Sequence, residues 1–204
     1  MARQLCQTIL RLLLLQLMSK QYNILCSELP DYVTLYGIKY PVHTSFKNWI
    51  EISILAQECG MSDAKAVAQM LRLCYREELP PNMMSAVLGM LAFLNGDTDI
   101  SVSSDKKPKK LYSFSEDAAA IYSAFYSKYG IDLEKSHMHW YKFCALFEGL
   151  SDDNPFKTLI RIRTMDETAV KDEKTRRKIV NLKAKYSLEL PAEVDVAENI
   201  SSLF

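Results

Sequence analysis

The sequence predicts a mainly α protein: a compact bundle of six or seven helices with a small N-terminal β-hairpin. Three observations predict it. Apolar residues recur at helical spacing in segment after segment from Phe46 to Tyr186. Capping residues, glycines and prolines punctuate those segments at helical lengths. Strand-like alternation is confined to one stretch, residues 32–42.

The hairpin comes first. Val33 and Leu35 alternate with polar or amphipathic neighbours, and Gly37 can take positive φ before a second β-rich run. Pro41 has no N–H for a ladder, so its strand lies at an edge or ends there. Thr44 or Ser45 then caps a helix with Phe46, Trp49, Ile50 and Ile54 on one stripe, and Gly60 ends it. Ser62 caps a second helix carrying Val67, Met70, Leu71 and Cys74, which Pro80-Pro81 stops. A third runs from about residue 82 to 94. Met84, Val87, Leu88, Leu91 and Leu94 are its expected inward side, with Gly96 as the C′ residue.

Residues 97–110 are polar, without period, and read as a flexible loop. Its lysines are largely offset by Asp97, Asp99 and Asp105, and no aromatic is interleaved for base stacking. Ser115 then caps a helix with Glu116 and Asp117 in its first turn. Its stripe is Ala118, Ile121, Tyr122, Phe125 and Tyr129, and Gly130 stops it. The next helix takes in the His137–His139 stretch and carries Trp140, Phe143, Cys144, Phe147 and Leu150. Asn154-Pro155 starts another, buried through Phe156, Leu159 and Ile160. Residues 167–186 read as a basic surface helix with a thin apolar stripe of Val170, Ile179, Leu182 and Tyr186.

Residues 22–186 are thus expected to form a single helical domain, followed by a flexible acidic tail at 187–204. Residues 1–21 read as an N-terminal extension. Its apolar run, Thr8–Leu17, is split by Arg11 and lacks a small-x-small cleavage site. The run is also far short of the roughly 20 apolar residues that span a bilayer. Met18 is therefore the expected working start, with Met1 as an upstream start.

Composition bounds the function. At 204 residues the chain can bury about 70% of its unfolded surface. A hydrophobic share of 49% excludes a disordered chain. Lys+Arg equals Asp+Glu at 25 each, which argues against a dedicated nucleic-acid binder. The five Cys, at 6, 26, 59, 74 and 144, form no C-x-x-C pair. That argues against a disulfide framework or a structural zinc and fits a reducing compartment. Cys74 and Cys144 read as small core hydrophobes.

No phosphate-binding or nucleophile motif is present. His137-Met138-His139 could bind a metal on a strand. On the expected helix its two rings diverge, so neither His is expected to be a ligand. His139 beside Trp140 reads instead as a packed ring with one satisfied N–H. Glu148, Asp152 and Asp153 read as ordinary helix-end carboxylates, with Arg161 or Arg163 pairing Asp152 or Asp153. The expectation is a non-enzyme with no cofactor, no metal and no membrane partner.

Several blocks carry a family resemblance. Tyr22-Asn23-Ile24-Leu25, Gly37-Ile38-Lys39-Tyr40-Pro41-Val42 and Phe46-Lys47-Asn48-Trp49-Ile50 resemble the start of the gene-product-fifteen family of tailed phages and prophages. Tyr112 to Asp117, Tyr129-Gly130-Ile131-Asp132-Leu133, His139-Trp140-Tyr141-Lys142-Phe143 and Leu146-Phe147-Glu148-Gly149-Leu150 are similar to its central signature. Ile160-Arg161-Ile162-Arg163 is similar to the segment that follows. The resemblance spans about residues 22–186. It marks Trp49, Asp117, Gly130, Asp132, His139, Trp140, Phe143, Gly149 and Arg163 as signature positions of structural character.

Genes of that family typically lie between those of the major tail protein and the tape measure protein of long non-contractile tails. The resemblance therefore implies a tail assembly chaperone that coats the tape measure protein in the host cytoplasm, self-associates along it and is absent from the virion. Nine Met and eleven Tyr offer the adaptable contact area such a role needs. The rival expectations are a terminator- or connector-type component retained in the virion, and a nucleic-acid binder using the basic helix.

Overall fold

The computed structural model describes residues 24–61, 63–96, 111–170 and 172–188. The N-terminal extension, Ser62, the 97–110 loop and all but the first two residues of the acidic tail lie outside the described residues. Seven α-helices and one two-stranded antiparallel sheet are present among the described residues, so the chain is mainly α with a small hairpin. Backbone contacts group the described residues into two compact units. One takes residues 24–96 together with 138–143. The other takes residues 111–137 and 144–188.

The first unit opens with the hairpin of β1 (Tyr32–Leu35) and β2 (Ile38–Pro41), paired from Tyr32↔Pro41 to Leu35↔Ile38. Its turn residues, Tyr36 and Gly37, have φ 53° and 80°. A two-residue turn with both φ positive matches the right-handed twist of the strands, and Gly37 adopts it without strain. Pro41 is the last residue of β2, as its missing N–H requires.

Helix α1 (Phe46–Glu58) buries Phe46, Trp49 and Ile52, whereas Ile50 and Ile54 are only half-buried. Ser45 precedes it but makes no side-chain cap. The start is fixed by backbone instead: the Phe46 N–H donates to the Met138 carbonyl at 3.0 Å. Helix α2 (Ala64–Cys74) is capped by Asp63, which accepts from the Lys65 N–H at 2.9 Å. Val67, Met70, Leu71 and Cys74 are buried as the spacing predicts.

Helix α2 ends at Cys74, well before Pro80-Pro81. Tyr75 turns extended and bridges Val42, and its hydroxyl donates to the Ala86 carbonyl at 2.8 Å. Helix α3 (Met83–Leu94) is capped by Asn82 and buries Ser85, Ala86, Val87, Gly89, Met90, Ala92 and Phe93. Of the expected inward residues only Val87 is fully buried; Met84, Leu88, Leu91 and Leu94 are half-buried. The helix is apolar nearly all round, so its pattern carries no direction. Gly89 supplies the direction. Its missing side chain admits the Tyr75 hydroxyl and the Leu35 and Val33 methyls.

In the second unit Phe114–Asp117 form a turn, and helix α4 (Ala118–Tyr129) begins after Asp117 rather than after Ser115. Ile121, Ala124 and Phe125 are buried; Ala118 and Tyr122 are exposed and Tyr129 is half-buried. Gly130, at φ 65°, closes the helix in the left-handed conformation. Helix α5 (Trp140–Glu148) does not include His137–His139, because Ser45 and His139 form a β-bridge. Asn154 caps α6 (Pro155–Thr164) through the Lys157 N–H, with Pro155 at its first position. Phe156 and Arg163 are buried there, while Leu159 and Ile160 are half-buried.

The expected 167–186 helix is two elements. A 3₁₀ turn (Glu167–Ala169) precedes α7 (Glu173–Lys185), which is capped by Asp172 through the Thr175 N–H. No residue of α7 is buried, so it is a surface helix.

Candidate functional site

The nine signature positions fall into two sets. Trp49, His139, Trp140 and Phe143 meet in the first unit. Trp49 on α1 stacks on Phe93 of α3 at 4.6 Å and lies 6.3 Å from Trp140 on α5. Phe143 stacks on Phe46 at 5.0 Å. Both indole N–H groups are satisfied by backbone: Trp49 donates to the His43 carbonyl and Trp140 to the Leu94 carbonyl. A rigid aromatic layer results, with every buried polar edge paired.

His139 seats this layer. Its Nδ1 accepts from the Tyr141 N–H at 3.1 Å, and its Nε2 lies 3.0 Å from the Pro30 carbonyl oxygen. A carbonyl only accepts, so Nε2 carries the proton and the ring is neutral. Burial is the main cause that lowers its pKa, against the opposing bond to Pro30. His137 is exposed and does not share this environment. Residues 137–139 are not helical, contrary to the sequence expectation, because His139 pairs with Ser45 in a β-bridge. Among the described residues no three His, Cys, Asp or Glu gather where a metal could sit.

Asp117, Gly130, Asp132, Gly149 and Arg163 lie in the second unit. Arg163 of α6 grips Asp117 with two nitrogens, at 2.6 and 2.8 Å. The same guanidinium donates to the Leu111 and Tyr186 carbonyls, and Asp117 accepts the Ser113 N–H. Arg163 is 8% and Asp117 3% exposed. The partner of Arg163 is thus Asp117, not Asp152 or Asp153, which are exposed. Arg163 lies about two turns beyond the start of α6 and faces inward, away from that N-terminal flank. Asp132 accepts from Tyr122 and pairs with Lys135. Gly149 leaves room for Tyr129, whose hydroxyl would stand 3.0 Å from an added Cβ.

A surface recess of about 370 Å³ on α7 is lined by Glu167, Glu173, Arg176, Arg177, Val180 and Asn181. Cys74 is buried and Cys144 half-buried. Burial pushes both thiols up, Cys144 to about 12, so neither is a ready thiolate.

The exposed apolar side chains are more informative. Tyr36 and Ile38 at the hairpin tip are 68% and 57% exposed, and Met83 at the start of α3 is 48% exposed. The Tyr36 hydroxyl lies 3.1 Å from Ser85 Oγ in the first turn of α3, so the tip leans on that turn. The hairpin tip and the first turn of α3 thus adjoin, and each carries exposed apolar side chains. Sequence pattern marked none of them, because an exposed apolar residue in a strand or helix reads as core. Tyr75 and Phe93, which complete the buried layers, also escape the sequence pattern, because their partners lie far away in sequence.

The fold and its marked residues define a mainly α protein in which Trp49, His139, Trp140, Phe143, Asp117 and Arg163 sit in buried or half-buried contacts. A family model described as Bacteriophage Gp15 protein matches residues 25–188, and the chain belongs to that phage family. No curated protein and no solved structure matches the chain.

Proposed function

We propose that this protein is a non-enzymatic tail assembly chaperone that binds and coats the tape measure protein while a long non-contractile tail is built. Its Bacteriophage Gp15 membership supports a phage role. The observation that carries the finer reading is the exposure of Tyr36, Ile38 and Met83 on the adjoining hairpin tip and first turn of α3. A long amphipathic helix free in solution aggregates through its apolar strip. Tyr and Met on a coating protein would cover that strip in helix-in-groove fashion and tolerate varied sequence. Each contact is weak, so that tail polymerisation can strip the chaperone, and multivalent coating with self-association supplies retention. The working compartment is the host cytoplasm. No described helix is long and apolar enough to cross a membrane.

Co-expression with the tape measure protein of the same gene cluster tests the reading. The tape measure protein should become soluble and carry several copies of this chain through moderate salt, since apolar burial is little screened. The triple variant Y36E/I38E/M83E should fold normally and lose the effect. Equal insolubility of the tape measure protein with and without this chain refutes the proposal. Stoichiometric recovery of this chain in purified virions would instead favour a retained tail component.

A further inference from the structure

The basic residues of α7 sort into two groups. Arg176 and Arg177 both bond Glu173, and Lys183 bonds Glu167 and the Met165 carbonyl. Those three cations are used within the helix and its neighbouring turn. Lys174, Lys178 and Lys185 are different. They are exposed and have no ion-pair partner among the described residues. With exposed Asn181 they stand at i, i+4, i+7 and i+11, which is one face of a helix. This row of three ammonium groups without a carboxylate partner is about 16 Å long, and the Lys185 Nζ also lies 5.3 Å from the centre of the Tyr186 ring.

The sequence that follows has the complementary character. Residues 189–204 hold Glu189, Glu193, Asp195 and Glu198 and no basic residue. That segment starts three residues beyond Tyr186, at the Lys185 end of the row. From residue 189 to residue 198 an extended chain reaches about 30 Å, ample to run back along the whole row. A tethered segment meets its site at an effective concentration of order millimolar, so weak exposed pairs suffice to hold it.

We propose that the acidic segment 189–204 is an intramolecular ligand of the Lys174–Lys178–Lys185 face of α7. Docked there it neutralises this basic face of the helix. The inference is independent of the tape measure reading, which rests on the other unit.

Amide hydrogen exchange of the full chain tests it, read over residues 173–185 at low salt and at about 0.5 M salt, where exposed charges are screened. The tail-neutral variant E189Q/E193Q/D195N/E198Q should exchange about fivefold faster in α7 at low salt, the scale set by a few exposed ion pairs. High salt should abolish the difference. The variant E77Q/E78Q/D152N/D153N makes the same change in net charge at exposed carboxylates elsewhere, and should exchange like the unaltered chain. The face variant K174Q/K178Q/K185Q should respond no further to tail neutralisation.

Unchanged exchange in the tail-neutral variant overturns the proposal, as does equal acceleration in the net-charge control. A tail effect that vanishes on tenfold dilution places the segment on a second copy and also overturns it. So does a face that ignores the tail but gains protection from a 20-base-pair DNA duplex, which would make it a nucleic-acid site.

Discussion

Replacing Arg163 by Met removes the ion-pair partner of a carboxylate that is 3% exposed. Met matches the aliphatic stem, so the change isolates the guanidinium. Asp117 would retain the Ser113 N–H at 3.0 Å but lose two charge-assisted bonds at 2.6 and 2.8 Å. The carbonyls of Leu111 and Tyr186 would each lose a donor. Breaking a buried pair from one side costs about 3–5 kcal/mol, because the surviving charge stays desolvated. Asp117→Asn should cost less, since Arg163 keeps both carbonyls. The double variant D117N/R163M should be more stable than the sum of the single losses by at least about 1 kcal/mol, because no charge is left unpaired. Urea unfolding followed by far-ultraviolet circular dichroism measures all three, and it reads both units. Intrinsic tryptophan fluorescence would mislead, since Trp49 and Trp140 both belong to the first unit. A loss below about 1 kcal/mol for R163M, or strict additivity in the double variant, refutes a buried coupled pair.

Gly89→Ala should destabilise by about 1–3 kcal/mol in urea unfolding, because its Cβ would stand 2.7 Å from the Tyr75 hydroxyl and 3.2 Å from a Leu35 methyl. His139 makes stability depend on pH. Its folded-state pKa is lowered from 6.5, so below that pH the unfolded chain takes up the proton first. Stability is full above about pH 6.5 and falls as the pH drops towards the folded-state value; His139→Gln should flatten that slope, measured as urea midpoints between pH 8 and pH 5. The same variant removes the acceptor for the Tyr141 N–H, so its stability at pH 8 should already be lower by about 1–3 kcal/mol, and an unchanged midpoint there would contradict the assigned tautomer.

The hairpin, the seven helices and most of their stops were legible because local chemistry sets them. Gly37, Gly96 and Gly130 all take positive φ where a turn or cap was expected, and Asn154-Pro155 starts α6. What was not legible depends on distant partners. The end of α2 is set by Val42, some thirty positions upstream, through the bridge that captures Tyr75. The inward face of α3 is chosen by Gly89 against the hairpin, and an almost uniformly apolar helix cannot announce that choice. The start of α4 shifts because Asp117 spends its carboxylate on Arg163, 46 residues away, instead of lying in a helical first turn. In each case a long-range hydrogen bond or close contact overrides a sound local rule.

The same contrast decides where function must be sought. Trp49, His139, Trp140, Phe143, Asp117 and Arg163 are resemblance-marking residues, and each contributes to a buried or half-buried contact. Substituting any of them changes the shape that every surface depends on. A lost activity in such a variant therefore says nothing about which surface was used. Tyr36, Ile38 and Met83 contribute much less to burial, so their replacement by Glu leaves the aromatic layer in place. Loss of tape measure solubility in Y36E/I38E/M83E, with an unchanged urea midpoint, is then attributable to the surface alone. Comparison with His139→Gln at pH 8 completes the logic. If the unstable but surface-intact variant still solubilises the tape measure protein below its own unfolding midpoint, while the stable surface variant does not, the binding face lies at the hairpin tip and the signature residues serve only to hold it.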